Sequence, residues 1–149
     1  GTITSRIGLE ANAIPFDSVT DIATIVAERH AHEKIACVLV DEAQFLTSPQ
    51  VDQLAHLADV VGIPVLAYGL RTDFQGQLFP GSARLLALAD SLIELKSVCE
   101  CGRKATMNLR VDEQGRAVVE GAQTEIGGND RYVALCRKHF VAARQAAGQ

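Results

Sequence analysis

No stretch of about 18 consecutive apolar residues occurs in the chain, so no membrane-crossing helix is expected. The opening residues lack the basic, then apolar, then small-residue pattern of a secretory leader. Basic residues are not in excess. Fourteen Lys and Arg stand against 18 Asp and Glu, a formal net charge of −4, and only short groups such as Arg103-Lys104 and Arg137-Lys138 cluster. That balance argues against a nucleic-acid-binding surface. Internal repeats and low-complexity segments are also missing, and 48% apolar against 21% charged residues excludes a disordered chain. An initiator Met is absent too. Gly1 to Arg6 reads as a loop entered from something upstream, so the chain is expected to be a fragment.

What is present suits one globular core with a small satellite, since 149 residues are enough to bury both. The organising stretch is Ile35-Ala36-Cys37-Val38-Leu39-Val40, followed at once by Asp41 and Glu42. Six apolar or small residues are too few for a helix and read as a strand buried on both faces of a parallel sheet. Cys37, inside it, reads as a small buried hydrophobe. In open α/β sheets ligands sit beyond the carboxyl ends of the strands, which is where this acidic pair is delivered. An Asp there can hold Mg²⁺, and an adjacent carboxylate can serve as a general base. Taken alone, the pair is as well read as two solvated acids leading into a turn.

Before this strand, residues 1–16 predict a surface loop or a short strand near Arg6-Ile7. A helix capped by Asp17 or Ser18 follows, with Val19, Ile22, Ala23 and Val26 at the 3.6-residue period. After the strand, Ser48 as N-cap and Pro49 at the first helical position open a second helix, which Gly62 closes. Ile63 to Tyr68 reads as the next strand. The Gly69–Gly81 loop, a short helix capped by Ser82, and a third strand over Ser91–Leu95 complete the pattern. Strand, helix, strand, helix, strand implies right-handed crossovers in a parallel sheet. From Val98 the pattern changes to a β-hairpin, with Ala105–Val111 and Arg116–Glu120 around a turn at Asp112-Glu113-Gln114-Gly115. A closing helix is expected to carry Tyr132, Leu135, Cys136, His139 and Phe140 on one side, with Asp130 as its cap.

This satellite has few large apolar residues, and small units of that kind usually need a metal or disulfides. Cys99-x-Cys101 and Cys136-x-x-His139 bracket it. Three thiolates and an imidazole suit a closed, tetrahedral structural Zn²⁺ site, and Cys136 and His139 share a helix face at i, i+3. The spacing C-x-C departs from the common C-x₂-C. Ordinary buried cysteines, or one disulfide, are the competing readings.

Together, Asp41-Glu42-Ala43-Gln44-Phe45, Tyr68 to Phe74, Cys99-Glu100-Cys101-Gly102-Arg103-Lys104-Ala105 and Ile126-Gly127-Gly128-Asn129-Asp130-Arg131-Tyr132 resemble the type II (cytosolic and bacterial) thymidine kinase family. The resemblance covers residues 3–140, with the motifs in family order and spacing. It implies an α/β fold: a P-loop NTPase-like parallel-sheet core over residues 1–97, and a zinc-binding lasso domain with a β-hairpin and C-terminal helix over 98–149. The implied activity is transfer of the ATP γ-phosphate to the 5′-hydroxyl of thymidine, with deoxyuridine a possible substrate, in a cytoplasmic homotetramer. Residue by residue, the resemblance assigns Glu42 as the catalytic base and Asp41 to Mg²⁺ on ATP. Phe45, Leu70, Phe74 and Phe79 would line the thymine pocket. Gln123, Thr124, Glu125, Ile126, Gly127 and Gly128 would hold the base edge through backbone groups, with Tyr132 against the nucleoside. Cys99, Cys101, Cys136 and His139 match the zinc ligands.

A flat, methyl-bearing pyrimidine suits aromatic and aliphatic walls, although the same residues could be plain core. Arg71 could meet a phosphate or be solvated. In one respect the sequence departs from the family: no G-x-x-x-x-G-K-[ST] loop is present to cradle ATP phosphates. The 149-residue chain by itself is therefore expected not to phosphorylate thymidine. The alternative function is a non-catalytic, zinc-stabilised nucleoside-binding or interaction module. A P-loop ATPase of another family would share only the strand ending in Asp-Glu.

Overall fold

The structure, a computed structural model, describes residues 1–4, 7–124 and 131–148. The chain opens with an antiparallel pair, β1 (Thr2–Thr4) and β2 (Glu10–Asn12), where a loop or a strand near Ile7 was the expectation. Helix α1 (Ile22–His32) begins later than its apolar spacing suggests. Asp21 caps it by accepting from the Thr24 N–H, and Val19 lies outside it, exposed.

The central unit is β3 (Val38–Val40), α2 (Ser48–His56) and β4 (Val65–Ala67), with β3 and β4 parallel and Val38, Leu39 and Val40 opposite Val65, Leu66 and Ala67. Thr47, not Ser48, caps α2. Its hydroxyl accepts from the Gln50 N–H, while the Gln50 side chain accepts from the Thr47 N–H. Gln50 also donates to the Asp17 and Thr20 carbonyls, and Gln53 accepts from the Ile22 N–H, so α2 holds the start of α1. A π-helical turn over Leu57–Val61 follows, and Gly62 ends it at φ +82°. Helix α3 (Pro80–Leu88) starts from Phe79, with Pro80 in its first turn, so Ser82 is not its cap.

Two expectations about the sheet are corrected. β3 is not buried on both faces: Leu39 is 66% exposed, and Cys37 is exposed rather than a buried hydrophobe. Only one face is covered, by the cluster of Ile22, Val40, Leu46, Val51, Leu54 and Leu57. Ser91–Leu95 runs without strand pairing, with Ile93 85% exposed. A strand exists only where a neighbour takes its backbone groups, and among the described residues none does so here. The parallel sheet among these residues has two strands, short of the larger sheet that a P-loop core implies.

The remainder is built on β5 (Met107–Val111) and β6 (Arg131–Leu135), antiparallel, with Leu109 opposite Val133 and Arg110 opposite Tyr132. The Asp112–Gly115 turn forms, but its return arm makes a single bridge, Val111 to Ala117. The expected hairpin is therefore short, with the Asp112 N–H donating to the Arg116 carbonyl and the Val118 N–H to the Arg110 carbonyl, while β6 takes the other edge of β5. Helix α4 (Arg137–Ala147) contains His139 and Phe140 but not Tyr132 or Leu135, which lie on β6, and Cys136 is its N-cap. The expected cap, Asp130, lies outside the described residues. A second apolar cluster, of Cys99, Ala105, Leu109, Val111, Leu135, Cys136 and Phe140, fills this part.

Candidate active site and metal centre

The carboxyl ends of β3 and β4 are tied together: Tyr68 N–H donates to the Val40 carbonyl, and Ala43 N–H to the Tyr68 carbonyl, both at 2.8 Å. Asp41 and Glu42 follow directly on β3, exposed to solvent. Asp41 Oδ1 accepts from the Glu42 N–H at 2.9 Å. Glu42 adopts φ +51°, ψ +41°, the one left-handed non-glycine residue among those described. For a residue with a Cβ that conformation is strained, by an amount on the order of 1–3 kcal/mol, and such strain concentrates at functional sites.

Gln44, two residues on and buried, holds that carboxylate. Its Nε2 donates to Glu42 Oε2, and its own Oε1 accepts from the Leu70 N–H at 3.1 Å. Gly69 makes this approach possible, because a Cβ there would fall 2.7 Å from Gln44 Oε1 and 2.8 Å from its backbone N. The Ser82 hydroxyl donates to the Leu70 carbonyl at 2.5 Å, fixing the same loop from α3. Sequence reasoning passed over Gln44; its signal was its place two residues after Glu42 in the tight turn Ala43–Phe45. Gln44→Leu is expected to destabilise the fold by on the order of 1–3 kcal/mol, because it releases the Glu42 carboxylate and leaves the Leu70 N–H without its acceptor. A denaturation curve beside that of the unmodified chain checks this.

Phe45 and Phe79 meet edge to face, with centroids 6.1 Å apart at 87°. Phe79 is buried while Phe45 is 46% exposed, so the pair offers one open aromatic edge beside the acids. Leu70 sits in the same neighbourhood through Gln44. Phe74 does not share that exposure. It is 1% exposed, and the Arg110 guanidinium lies 3.8 Å from its ring centroid. The turn carrying Phe74 is held by Asp73, whose Oδ1 accepts from the Gln75 and Gln77 N–H groups at 2.8 and 2.9 Å. Asp73 Oδ2 accepts from Gln123 Nε2 at 2.8 Å, joining this turn to the stretch after β5. Thr124 and Tyr132 are exposed. Glu125, Ile126, Gly127 and Gly128 lie outside the described residues.

The four metal-ligand candidates converge. Cys99 and Cys101 sit on a knuckle in which the Gly102 N–H donates to the Cys99 carbonyl and the Cys99 N–H to the Arg103 carbonyl. Cys136 and His139 enter from the first turn of α4. Cys99 Sγ lies 3.3 Å from His139 Nδ1, Cys101 Sγ 3.8 Å from Cys136 Sγ, and all four donor atoms fall within 4.8 Å of one another. A tetrahedral ion with bonds of about 2.3 Å to sulfur separates its thiolates by roughly 3.8 Å. The donor set therefore fits zinc. The backbone N–H groups of Cys101 and then Cys136 lower the Cys99 thiol from 9.0 to about 6, so the thiolate that a metal requires is available near neutral pH.

The thymidine kinase family model matches residues 1–140. The chain belongs to the thymidine kinase family. It is 68% identical to a thymidine kinase of Novosphingobium aromaticivorans over 147 residues, covering 99% of this chain and 75% of that protein. A thymidine kinase of Zymomonas mobilis is 59% identical over 141 residues, 95% of this chain and 73% of the relative. That of Idiomarina loihiensis is 58% identical over 140 residues, 94% and 72% respectively. Within this chain, Glu42, Gln44, Phe45, Leu70 and Phe79 form one group at the end of the parallel sheet. Phe74, Arg110 and Gln123 form a second group, joined to the first through the 70–79 loop.

Proposed function

We propose that this chain supplies the nucleoside-binding and base-bearing part of an enzyme that transfers the γ-phosphoryl group of ATP to the 5′-hydroxyl of thymidine; the chain itself contains no G-x-x-x-x-G-K-[ST] loop to cradle the ATP phosphates. The reading is carried by the acidic pair at the end of β3 beside the Phe45–Phe79 pair. Identity of 58–68% over nearly the whole chain to thymidine kinases supports it and gives no favour to a non-catalytic module. Glu42 takes the proton of the 5′-hydroxyl as its oxygen attacks the γ-phosphorus, and the bond to the β–γ bridging oxygen breaks to release ADP. Gln44 keeps the carboxylate aimed. Asp41, an exposed hard oxygen donor next to the base, is the residue that would hold Mg²⁺. When bound with ATP, that ion supplies neutralisation of phosphate charge.

In this reading Phe45, Leu70, Phe74 and Phe79 form the apolar wall for the pyrimidine and its methyl group, Phe74 being the buried member held by Arg110. Gln123 and Thr124 begin the stretch that reads the base edge, which continues through Glu125, Ile126, Gly127 and Gly128, and Tyr132 stands against the nucleoside. Cys99, Cys101, Cys136 and His139 hold a structural zinc. Residues 1–97 form the kinase core and 98–149 the lasso unit, in a cytoplasmic homotetramer. No helix among the described residues is long and apolar enough to cross a membrane.

The test is a substrate profile of the native enzyme with labelled ATP. Thymidine should yield its 5′-monophosphate, deoxyuridine should be accepted less well, and deoxycytidine should fall at least about 100-fold in kcat/KM, because its donor and acceptor groups are reversed. Equal use of deoxycytidine, or no transfer to thymidine, contradicts the proposal.

A further inference from the structure

Arg110 is a charged side chain in the interior, 3% exposed, on β5. A cation removed from water needs partners that replace its hydration. Three of those partners belong to the part of the molecule that the proposed function assigns to the nucleoside. One face of the guanidinium lies on the Phe74 ring at 3.8 Å. Its Nη1 donates to the Ala122 carbonyl at 3.1 Å and its Nη2 to the Glu120 carbonyl at 3.4 Å. Gly121, between those carbonyls, has φ +130°, and a Cβ there would lie 2.7 Å from Nη2. The stretch is therefore built to let the guanidinium approach its backbone. Arg110 is also the direct cross-strand partner of Tyr132, and directly opposed residues of an antiparallel pair project from the same face.

A second arginine closes on the same turn. Arg144, on α4, donates through Nη1 to the Phe74 carbonyl at 2.9 Å and through Nη2 to the Val119 carbonyl at 3.4 Å. Gln75 Nε2 donates to that same Val119 carbonyl, and Gln123 Nε2 reaches Asp73 Oδ2. The Phe74 turn and the 119–123 stretch are thus joined by side chains from both directions.

We propose that Arg110 is a positioning residue for the nucleoside site: it fixes Phe74, the 120–123 stretch and the neighbouring Tyr132 in one arrangement. This rests on the thymidine kinase reading above. Arg110 touches no reacting atom and acts through the residues it holds. The role requires arginine: a planar guanidinium stacks on a ring while its edge donates to two carbonyls, whereas a lysine ammonium is a point charge that cannot do both.

The experiment compares the native enzyme with Arg110→Lys, Arg110→Met and Gly121→Ala. The glycine variant is at an exposed position and displaces the guanidinium without removing it. Steady-state kinetics with thymidine and ATP varied separately, and a melting temperature for each variant, are the readouts. In all variants that fold, KM for thymidine should rise about tenfold while KM for ATP stays within about twofold. Unchanged thymidine KM in Arg110→Lys and Gly121→Ala overturns the proposal. So does an equal change in both KM values that tracks a lower melting temperature, which is what a purely structural residue gives. If the unmodified enzyme fails to phosphorylate thymidine, the kinase reading falls and this inference with it. If it phosphorylates thymidine and the variants match it, the inference alone falls.

Discussion

Glu42→Gln should leave an enzyme that binds thymidine and hardly turns it over. The substitution is nearly isosteric, and the amide oxygen can still accept from Gln44 Nε2, so the left-handed turn and the Leu70 loop keep their shape. What disappears is the ability to take a proton. Losing a positioned general base costs about 10²–10⁴-fold in rate. The fall should appear in kcat, with thymidine affinity measured by calorimetry within about threefold of the unmodified enzyme. Lost affinity with normal turnover would contradict the assignment. Asp41→Asn is the companion variant: its effect should fall on the KM for Mg-ATP rather than on thymidine.

The second large effect is expected at the metal centre. Cys99 and Cys136 belong both to the four-residue group that could hold a metal ion and to the second apolar cluster, so losing that ion would disturb the core in this part of the chain. Binding of a structural zinc is worth on the order of 10 kcal/mol to a small domain near neutral pH. Cys101→Ser should therefore reduce zinc from about one per chain to none and lower the melting temperature by roughly 10 °C or more. Chelation of the unmodified enzyme should reproduce both results. The consequence should reach the nucleoside site, because Arg144 on α4 and Arg110 on β5 both grip the Phe74 turn. Unchanged metal content in Cys101→Ser would rule out this ligand set.

Both sites were legible in the sequence because each depends on residue types that few other arrangements use. An apolar run stopping on two acids, a Thr-Ser-Pro helix start and a Gly helix stop located β3 and α2 to within a few residues, and the Cys and His spacing located the metal cluster. What was not legible depends on partners distant in the chain. Ser91–Leu95 has the composition of a strand, but pairing is a property of two segments, and here the second is missing among the described residues. Tyr132, Leu135, Cys136 and His139 happen to fit a helical period, yet Tyr132-Val133 favours a strand, and β5 offers an edge to receive it. Cys136 and His139 still meet, because an N-cap and the third residue of its helix face the same way. The details of the Glu42 turn were hidden for a different reason. Nothing about a glutamate predicts φ +51°, and only the folded turn shows Gln44 reaching back to hold it. Nothing local to Arg110 signals its stacking on Phe74, which only the fold brings to it.

The most direct test of the account is a crystal structure of the native enzyme with thymidine bound. It should show the 5′-oxygen within hydrogen-bond reach of the Glu42 carboxylate and the pyrimidine against Phe45 and Phe79, with Arg110 still on Phe74. A thymidine found away from the end of β3, or lying there with its 5′-hydroxyl turned from Glu42, would contradict it.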